Sequence, residues 1–340
     1  LPPNNKSVNP LSPLFVVILI ARVIFAFPSL PSTTKLSPMQ RRHFINTSFA
    51  ALTTAAFADH HGKHPTAKAE DLFKISLAQW SNHRALKGGK MTNLDWPEYT
   101  KKTYDILALE YVNQFFKDKA KDKKYLGELN KRVSDLGMTN VLIMVDGEGH
   151  IGAGSDQKRQ KTIDNHKKWV DAAKRLGCHS IRVNSHGEGK DDAEKAVNCV
   201  KGLTALSTFA RDHQINVIVE NHGGLSSNGA WMSKVLKDVG LDNCGSLPDF
   251  GNFHGYDRYK GLKELMPFAK GVSAKSHEFN DKGEETKTDF TKALGIVLDH
   301  GYHGWIGVEY EARNLSEDDG IKATKVLLEK SRAALHAKKK

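Results

Sequence analysis

Eight short apolar runs, separated by amphipathic segments of helical period, fill residues 73 to 337 and leave few folds open. The runs are Phe73 to Trp80, Ile106 to Tyr111, Asn140 to Val145, Ser180 to Asn184, Asn216 to Asn221, Cys244 to Phe250, Gly271 to His277 and Trp305 to Tyr310. The helical segments are Trp96 to Asp105, Lys124 to Leu136, Arg159 to Leu176, Asp191 to His213, Ser227 to Val239, Tyr256 to Ala269, Thr288 to His300 and Ser316 to Ala337. Parallel strands need crossovers of a dozen or more residues, and a step of roughly 30 residues holds one strand, one helix and their loops. Gly137, Gly177, Gly240 and Gly301 stand where helices should stop. Eight such units in series predict an α/β chain folded as a single (β/α)8 barrel, the TIM barrel, over residues 72 to 337. A Rossmann-like open sheet is the alternative. It loses weight because Trp80-Ser81-Asn82-His83-Arg84, not a glycine-rich phosphate fingerprint, follows the first run.

Barrel enzymes carry their chemistry at the C-terminal ends of the strands, and the polar residues of this chain collect there. Glu220, Asp249, His277 and Glu309 close four successive runs at intervals of 29, 28 and 32 residues. Two Glu, one Asp and one His make an oxygen-rich set for a divalent metal with coordination positions left for substrate or water. Mutual salt bridging, for example Lys275 with Glu309, is the competing explanation for charge at the end of an apolar run. His83, Glu110, Asp146, Glu148, Asn184, His186, His222, Asn252 and Glu311 fall at further strand ends. For His83, Glu110, His186 and Glu148, a loop hydrogen bond or salt bridge is the simpler reading.

The first 58 residues read differently. They hold five of the 50 Lys and Arg and none of the 39 Asp and Glu, so the remainder carries a charge of +6 rather than +11. That mild surplus, part of it in the Lys338-Lys339-Lys340 tail, gives no nucleic-acid footprint. Met39 to Ala58 resembles a twin-arginine export signal: Arg41-Arg42 precedes an apolar stretch, Phe49 to Phe57, that ends in Ala56-Phe57-Ala58. The expectation is therefore export to the periplasm or beyond, translation from Met39, a polar linker over 59 to 71, and no stable membrane span in the mature chain. A signal anchor on Leu14 to Phe27 is the rival reading, although Arg22 interrupts that run. Cys178, Cys199 and Cys244 are odd in number and widely spaced, so buried free thiols are expected.

With these residues in place, the chain resembles the xylose isomerase-like superfamily of sugar isomerases and epimerases over about residues 72 to 335. Val219-Glu220-Asn221-His222-Gly223-Gly224, Leu247-Pro248-Asp249-Phe250-Gly251-Asn252-Phe253 and Gly307-Val308-Glu309-Tyr310-Glu311 also look like secreted members from planctomycete-type bacteria. In the ketose epimerase and inosose dehydratase branches a Glu, Asp, His, Glu set on strands five to eight holds the metal. Carried over, that set is Glu220, Asp249, His277 and Glu309, with manganese, cobalt, magnesium or zinc as the ion. The chain departs from the pattern in places. Many relatives carry His-x-Lys-Asp on strand seven, which aligns with Ser273-Ala274-Lys275 and leaves His277 two residues late. Asn252 stands where the ketose 3-epimerases have His, and their substrate-binding Glu and Arg fall on Ser226 and Gly283. The His and Asp motifs of the endonuclease IV branch are missing, which argues against a DNA-repair hydrolase.

The resemblance implies proton abstraction next to a substrate carbonyl, through an enediolate. Glu220 and Glu309 are the expected base and acid, and Lys275 polarises the carbonyl. His186, His222, Asn252 and Trp80 are the expected sugar-binding side chains, with Phe253 as a second stacking surface. The partner is a small-molecule sugar or glycoside, and a homo-oligomer is left open. Isomerisation or epimerisation is the leading reading. A metal-dependent lyase or dehydratase on keto-sugars or 3-keto-glycosides is the runner-up, and a non-catalytic carbohydrate-binding barrel is the reading from another class.

Overall fold

The computed structural model of the chain describes residues 69–338. The export signal, the start at Met39 and the linker up to residue 68 lie outside the described residues. The linker's last residues, Ala69 to Asp71, instead open a short 3-10 turn, Ala69–Leu72.

Eight strands follow one another: β1 Lys74–Ala78, β2 Ala108–Val112, β3 Thr139–Met144, β4 Ser180–Val183, β5 Asn216–Glu220, β6 Cys244–Leu247, β7 Val272–Ser276 and β8 Trp305–Tyr310. The barrel helices are α1 Trp96–Tyr104, α2 Lys123–Asp135, α3 Asp156–Leu176, α4 Asp192–Asp212, α5 Gly229–Val239, α6 Arg258–Leu265, α7 Phe290–Asp299 and α8 Glu317–Lys338. The strands are buried almost throughout because both faces of a parallel barrel strand are covered, β3 and β5 with Val, Ile and Leu and β6 and β7 with small residues such as Gly245, Ser246, Ser273 and Ala274. Helix starts are set by polar caps. Ser155, Asp191, Asn228 and Asp289 accept hydrogen bonds from the amides of Lys158, Glu194, Trp231 and Lys292, each worth about 1 kcal/mol. Gly177 and Gly240 end α3 and α5 at φ 76° and 60°, in the left-handed region that a side chain would strain.

All neighbouring strands are parallel, in the order β6-β5-β4-β3-β2-β1-β8-β7. The circle closes at the β6–β7 seam through backbone bonds. Lys270 N donates to Ser246 O at 3.0 Å, Ser273 N to Pro248 O at 2.9 Å and Phe250 N to Ser273 O at 3.0 Å. Sequential order and closure exclude the Rossmann-like alternative, which needs a strand order that reverses. The fold is a single (β/α)8 barrel.

Apolar side chains form two layers. Outward-facing strand residues such as Ile181, Val217, Val219 and Ile306 pack with Trp169, Leu203, Leu206 and Leu328 of the helices. Inside, Ala78, Ala108, Val112, Leu142, Met144, Ile218 and Leu247 pack as a separate cluster. Residues two apart share a strand face, so Ile218 on the inside places Glu220 on the inside as well. The three cysteines are buried and free. Among the described residues, no helix is long and apolar enough to cross a membrane.

Two elements differ from expectation. The segment Tyr256 to Ala269 is helical only over α6, then tightens into a 3-10 turn at Met266–Phe268, because Pro267 has no N–H to continue the ladder. Beyond β1 the chain does not stay extended to Trp80. It coils into a 3-10 turn, Gln79–Asn82, and a one-turn helix, His83–Lys87, which set Trp80 beside the barrel mouth rather than on a strand.

Candidate active site

Strand register decides which charged groups meet. Lys275 of β7 is the cross-strand partner of Glu309 on β8, and Asp249 bridges to Ser273 across the closing seam. Glu220 is the last residue of β5. Oxygen atoms of Glu220, Asp249 and Glu309 come within 4.8 Å of one another, and all three residues are buried. Among the described residues, this is the one group of acidic, His or Cys side chains close enough to share a metal ion.

Each carboxylate is held by one specific set of donors. Asp249 Oδ1 accepts from the amides of Gly251 at 2.7 Å and Asn252 at 2.8 Å, as in a tight turn. Asn221 clamps the same residue: Asp249 N donates to its Oδ1 at 2.7 Å, and its Nδ2 donates to Asp249 O at 3.0 Å. Glu220 Oε1 accepts from Asn252 Nδ2 at 3.0 Å. Glu309 Oε2 accepts from Ser273 Oγ at 2.9 Å, and its Oε1 pairs with Lys275 Nζ at 3.0 Å. Arg182 Nε lies 2.9 Å from Glu220 Oε2, but its N–H is not directed at that oxygen, so the contact is a charge pair without a hydrogen bond. Asp249 Oδ2, Glu220 Oε2 and, deeper in the barrel, Glu110 Oε2 are buried without a hydrogen-bond donor among the described residues.

These unmatched oxygens mark a shortage of positive charge. Burial pushes the Asp249 carboxyl up to about 8, with Lys275 opposing and Glu309 and Glu220 reinforcing the rise. Burial also raises Glu220, against the pull of Arg182. For Lys275 burial acts to lower the pKa, yet Glu309, Asp249, Glu220 and Glu311 outweigh it and hold the ammonium charged. An additional cation would satisfy Asp249 Oδ2 and Glu220 Oε2 together, so the residues fit a divalent metal with hard oxygen ligands.

Around this centre lies a second ring. Arg182 reaches Asp146 Oδ1 at 2.6 Å, and Asn184 donates to the same oxygen at 2.7 Å. Burial pushes Asp146 up, but Arg182 and Asn184 outweigh it and hold the carboxyl at about 2. Below, Ser76 Oγ donates to Glu110 Oε1 at 2.5 Å, and burial raises that carboxyl to about 8. Gly307 makes room for it: a Cβ there would sit 2.5 Å from Glu110 Oε2.

The sequence-predicted residues are placed as follows. Glu220, Asp249, Glu309, Lys275 and Asn252 meet in the centre. His277 is not part of the three-carboxylate group. Strand β7 ends at Ser276, and Glu285 accepts from the amides of His277 and Glu278 at 3.3 and 3.5 Å, turning the chain into a hairpin. The His277 ring, half-buried, stands against Gly251 beside Lys275, and burial followed by the Lys275 charge lowers its pKa. Trp80 is partly exposed, donates from Nε1 to Glu311 Oε1 at 2.9 Å and stacks on His83 at 4.7 Å. His186 and His222 are exposed on the loops after β4 and β5. His186 tilts against His150, ring centres 4.1 Å apart. The structure corrects the stacking role given to Phe253, which is 4% exposed and packs against Gly261 of α6. Glu148 is structural, its Oε1 accepting from Trp169 Nε1 at 2.8 Å and pairing with Lys168 at 2.7 Å. Sequence reasoning missed Arg182, Asn221 and Ser273. Arg182 carried a signal, as the one charge inside the buried run Ser180-Ile181-Arg182-Val183.

Solved structures share this architecture. A D-tagatose 3-epimerase-like protein superposes with a TM-score of 0.62 at 18% identity, covering 78% of this chain and 99% of that one. The IOLI protein with a bound zinc atom gives 0.61 at 14% identity, covering 77% and 99%. The 3-keto-D-glucoside 4-epimerase from E. coli, in its apo form, gives 0.57 at 13% identity, covering 75% and 98%. Comparison with curated protein sequences finds no match. Residues 101–331 match the model of the Xylose isomerase-like TIM barrel family, and the chain, which folds as that barrel with its polar cluster at the strand ends, belongs to this family.

Proposed function

We propose that the protein is a divalent-metal-dependent sugar isomerase or epimerase that removes a proton from the carbon beside a carbonyl. The observation that carries this reading is the convergence of Glu220, Asp249 and Glu309 within 4.8 Å with Asp249 Oδ2 and Glu220 Oε2 left unmatched. A divalent ion held by Glu220, Asp249 and Glu309 would supply positive charge to the oxygens of a bound substrate. Glu220 takes the proton. Its carboxyl is raised by burial against the pull of Arg182, and Asn252 and Arg182 fix its orientation. Glu309, entering from β8, returns a proton while Ser273 holds its second oxygen. Lys275 presents its ammonium to the carbonyl, and His277 completes the ligand set from the loop. His186, His222 and Trp80 line the mouth where sugar hydroxyls and a ring face dock.

A neutral substrate fits this mouth. The two buried cations beside the carboxylates are already paired twice, Arg182 with Asp146 and Glu220, Lys275 with Glu309 and Glu311. The amides of His222 and Gly223 in the glycine-rich loop are taken by Ser226 and Ser227 hydroxyls, so they are not free to cradle a phosphate. Export by the twin-arginine route, read from Met39 to Ala58, brings the enzyme to free sugars and glycans. A second reading, in which a keto-glycoside loses a β-leaving group, begins with the same proton removal.

The test is incubation of the Mn2+-loaded protein in D2O with neutral ketoses and 3-keto-glycosides, followed by NMR. Deuterium uptake beside the carbonyl, dependent on metal and lost in Glu220→Gln, is the expected result. The product then separates epimerase from lyase. No exchange with any substrate, in protein shown to hold metal, rejects the reading.

A further inference from the structure

Lys275 occupies an unusual place for a lysine. It is 2% exposed, in the middle of the carboxylate cluster, and its ammonium has two partners at nearly equal range. Glu309 Oε1, on the inner side, is 3.0 Å away, and Glu311 Oε2, on the outer side, is 2.9 Å away. The inner partner belongs to the metal-holding triad. The outer one does not, and it is fixed independently of the lysine, because Trp80 Nε1 donates to its other oxygen at 2.9 Å. The lysine's path is also built: a Cβ on Gly251 would stand 2.9 Å from Lys275 Cγ and 3.1 Å from Cδ.

We propose that the Lys275 ammonium is an internal counter-cation that, with Arg182 on Glu220, offsets part of the charge of the Glu220, Asp249 and Glu309 cage before metal arrives, and that it withdraws onto Glu311 when a divalent cation takes up Glu309. This rests on the metal-binding reading above. Three buried carboxylates without a cation would repel one another at a cost that few folds tolerate. A lysine held on a neighbouring strand supplies the charge without occupying the cage permanently. A divalent ion on Glu309 would stand close to the ammonium that lies 3.0 Å from its Oε1, and the repulsion between the two cations in this buried centre favours opening of the inner pair. The outer pair already exists, and the exchange needs only rotation about the last bonds of one side chain. Metal affinity is then set by competition between the incoming ion and a residue of the same chain, and Glu311 acts as the resting seat that keeps the displaced charge paired.

The experiment is calorimetric titration of Mn2+ into the metal-stripped full chain, at fixed pH, for wild type, Lys275→Met, Glu311→Gln and the double variant. Lys275→Met is expected to bind Mn2+ about tenfold or more tightly than wild type. Glu311→Gln is expected to bind several-fold more weakly. The double variant should match Lys275→Met to within roughly twofold, because Glu311 matters only as a seat for the lysine. Binding by Lys275→Met that is equal to or weaker than wild type overturns the proposal and leaves the metal-binding reading standing. So does a Glu311→Gln effect that persists undiminished in the double variant, since it would be a simple field effect. If Lys275→Met does not fold, Glu311→Gln alone decides, and unchanged or tighter binding overturns the proposal. No Mn2+ binding by any of the four proteins overturns the metal-binding reading itself, and this proposal with it.

Discussion

Replacing Asp249 with Asn should stabilise the metal-free protein, contrary to the usual cost of altering a buried polar residue. The Asp249 carboxyl is fully buried, and burial with its acidic neighbours raises it to about 8 from 3.8. Between those two pH values the folded chain holds a proton that the unfolded chain has released. Stability therefore falls as pH rises from about 4 to about 8 and is level above that. At pH 7 the difference of 3.2 units from the ordinary value of 3.8 corresponds to about 4 kcal/mol. That figure is a ceiling, because side chains and water relax around the charge. An Asn keeps the acceptor that receives the Gly251 and Asn252 amides and turns the orphaned Oδ2 into a donor facing Glu220 and Glu309. A net gain of about 2 kcal/mol is expected, a rise of about 5 °C in Tm for a domain of this size.

Differential scanning calorimetry in EDTA from pH 5 to 8.5 measures this directly. The gap between Asp249→Asn and wild type should widen with pH, the Glu110 contribution cancelling because both proteins carry it. Excess Mn2+ should then reverse the ranking. Wild type gains by mass action, about 2.7 kcal/mol at a hundred times Kd, while the variant has lost a ligand and gains little. A variant less stable than wild type at pH 8 in EDTA, or a gap that does not change with pH, would refute the reasoning. Either result would mean that Lys275 already satisfies this carboxylate.

Three further outcomes follow from the second ring. Arg182→Met leaves Asp146 and Glu220 buried without their shared cation and should cost about 3–5 kcal/mol in chemical denaturation. Asp146→Asn should cost at most about 2 kcal/mol at pH 7, since the native carboxyl sits at about 2 rather than 3.8. A lowered acid stabilises above its unfolded pKa, so this cost should shrink as pH falls from about 4 and vanish near 2. Gly307→Ala should cost about 1–3 kcal/mol by driving a methyl into the Glu110 carboxyl. Shortening Glu110 to Ala first should remove most of that penalty, which a double-mutant cycle reads as strong coupling.

The barrel was legible because a parallel strand covered on both faces must be an unbroken apolar run, and eight of them at βα spacing leave little choice. The polar side chains that end those runs were legible for the same reason, since each is a charge where burial forbids one without a partner. Pairings between strands were harder. Arg182 beside Glu220, Ser273 on Glu309 and Asn221 clamping Asp249 depend on register and on the closing seam between β6 and β7, which the order of residues along one strand does not specify. His277 shows where counting along the chain stops working. Its parity with Lys275 would direct it inward if β7 continued, yet the strand ends at Ser276 because Glu285, eight residues on, binds the next two amides. The spacing that made four residues look equivalent thus holds for Glu220 and Glu309 on their strands and for Asp249, which lies two residues past β6 but is kept in register by its bridge to Ser273, while His277 hangs on a hairpin whose geometry the Glu285 side chain decides.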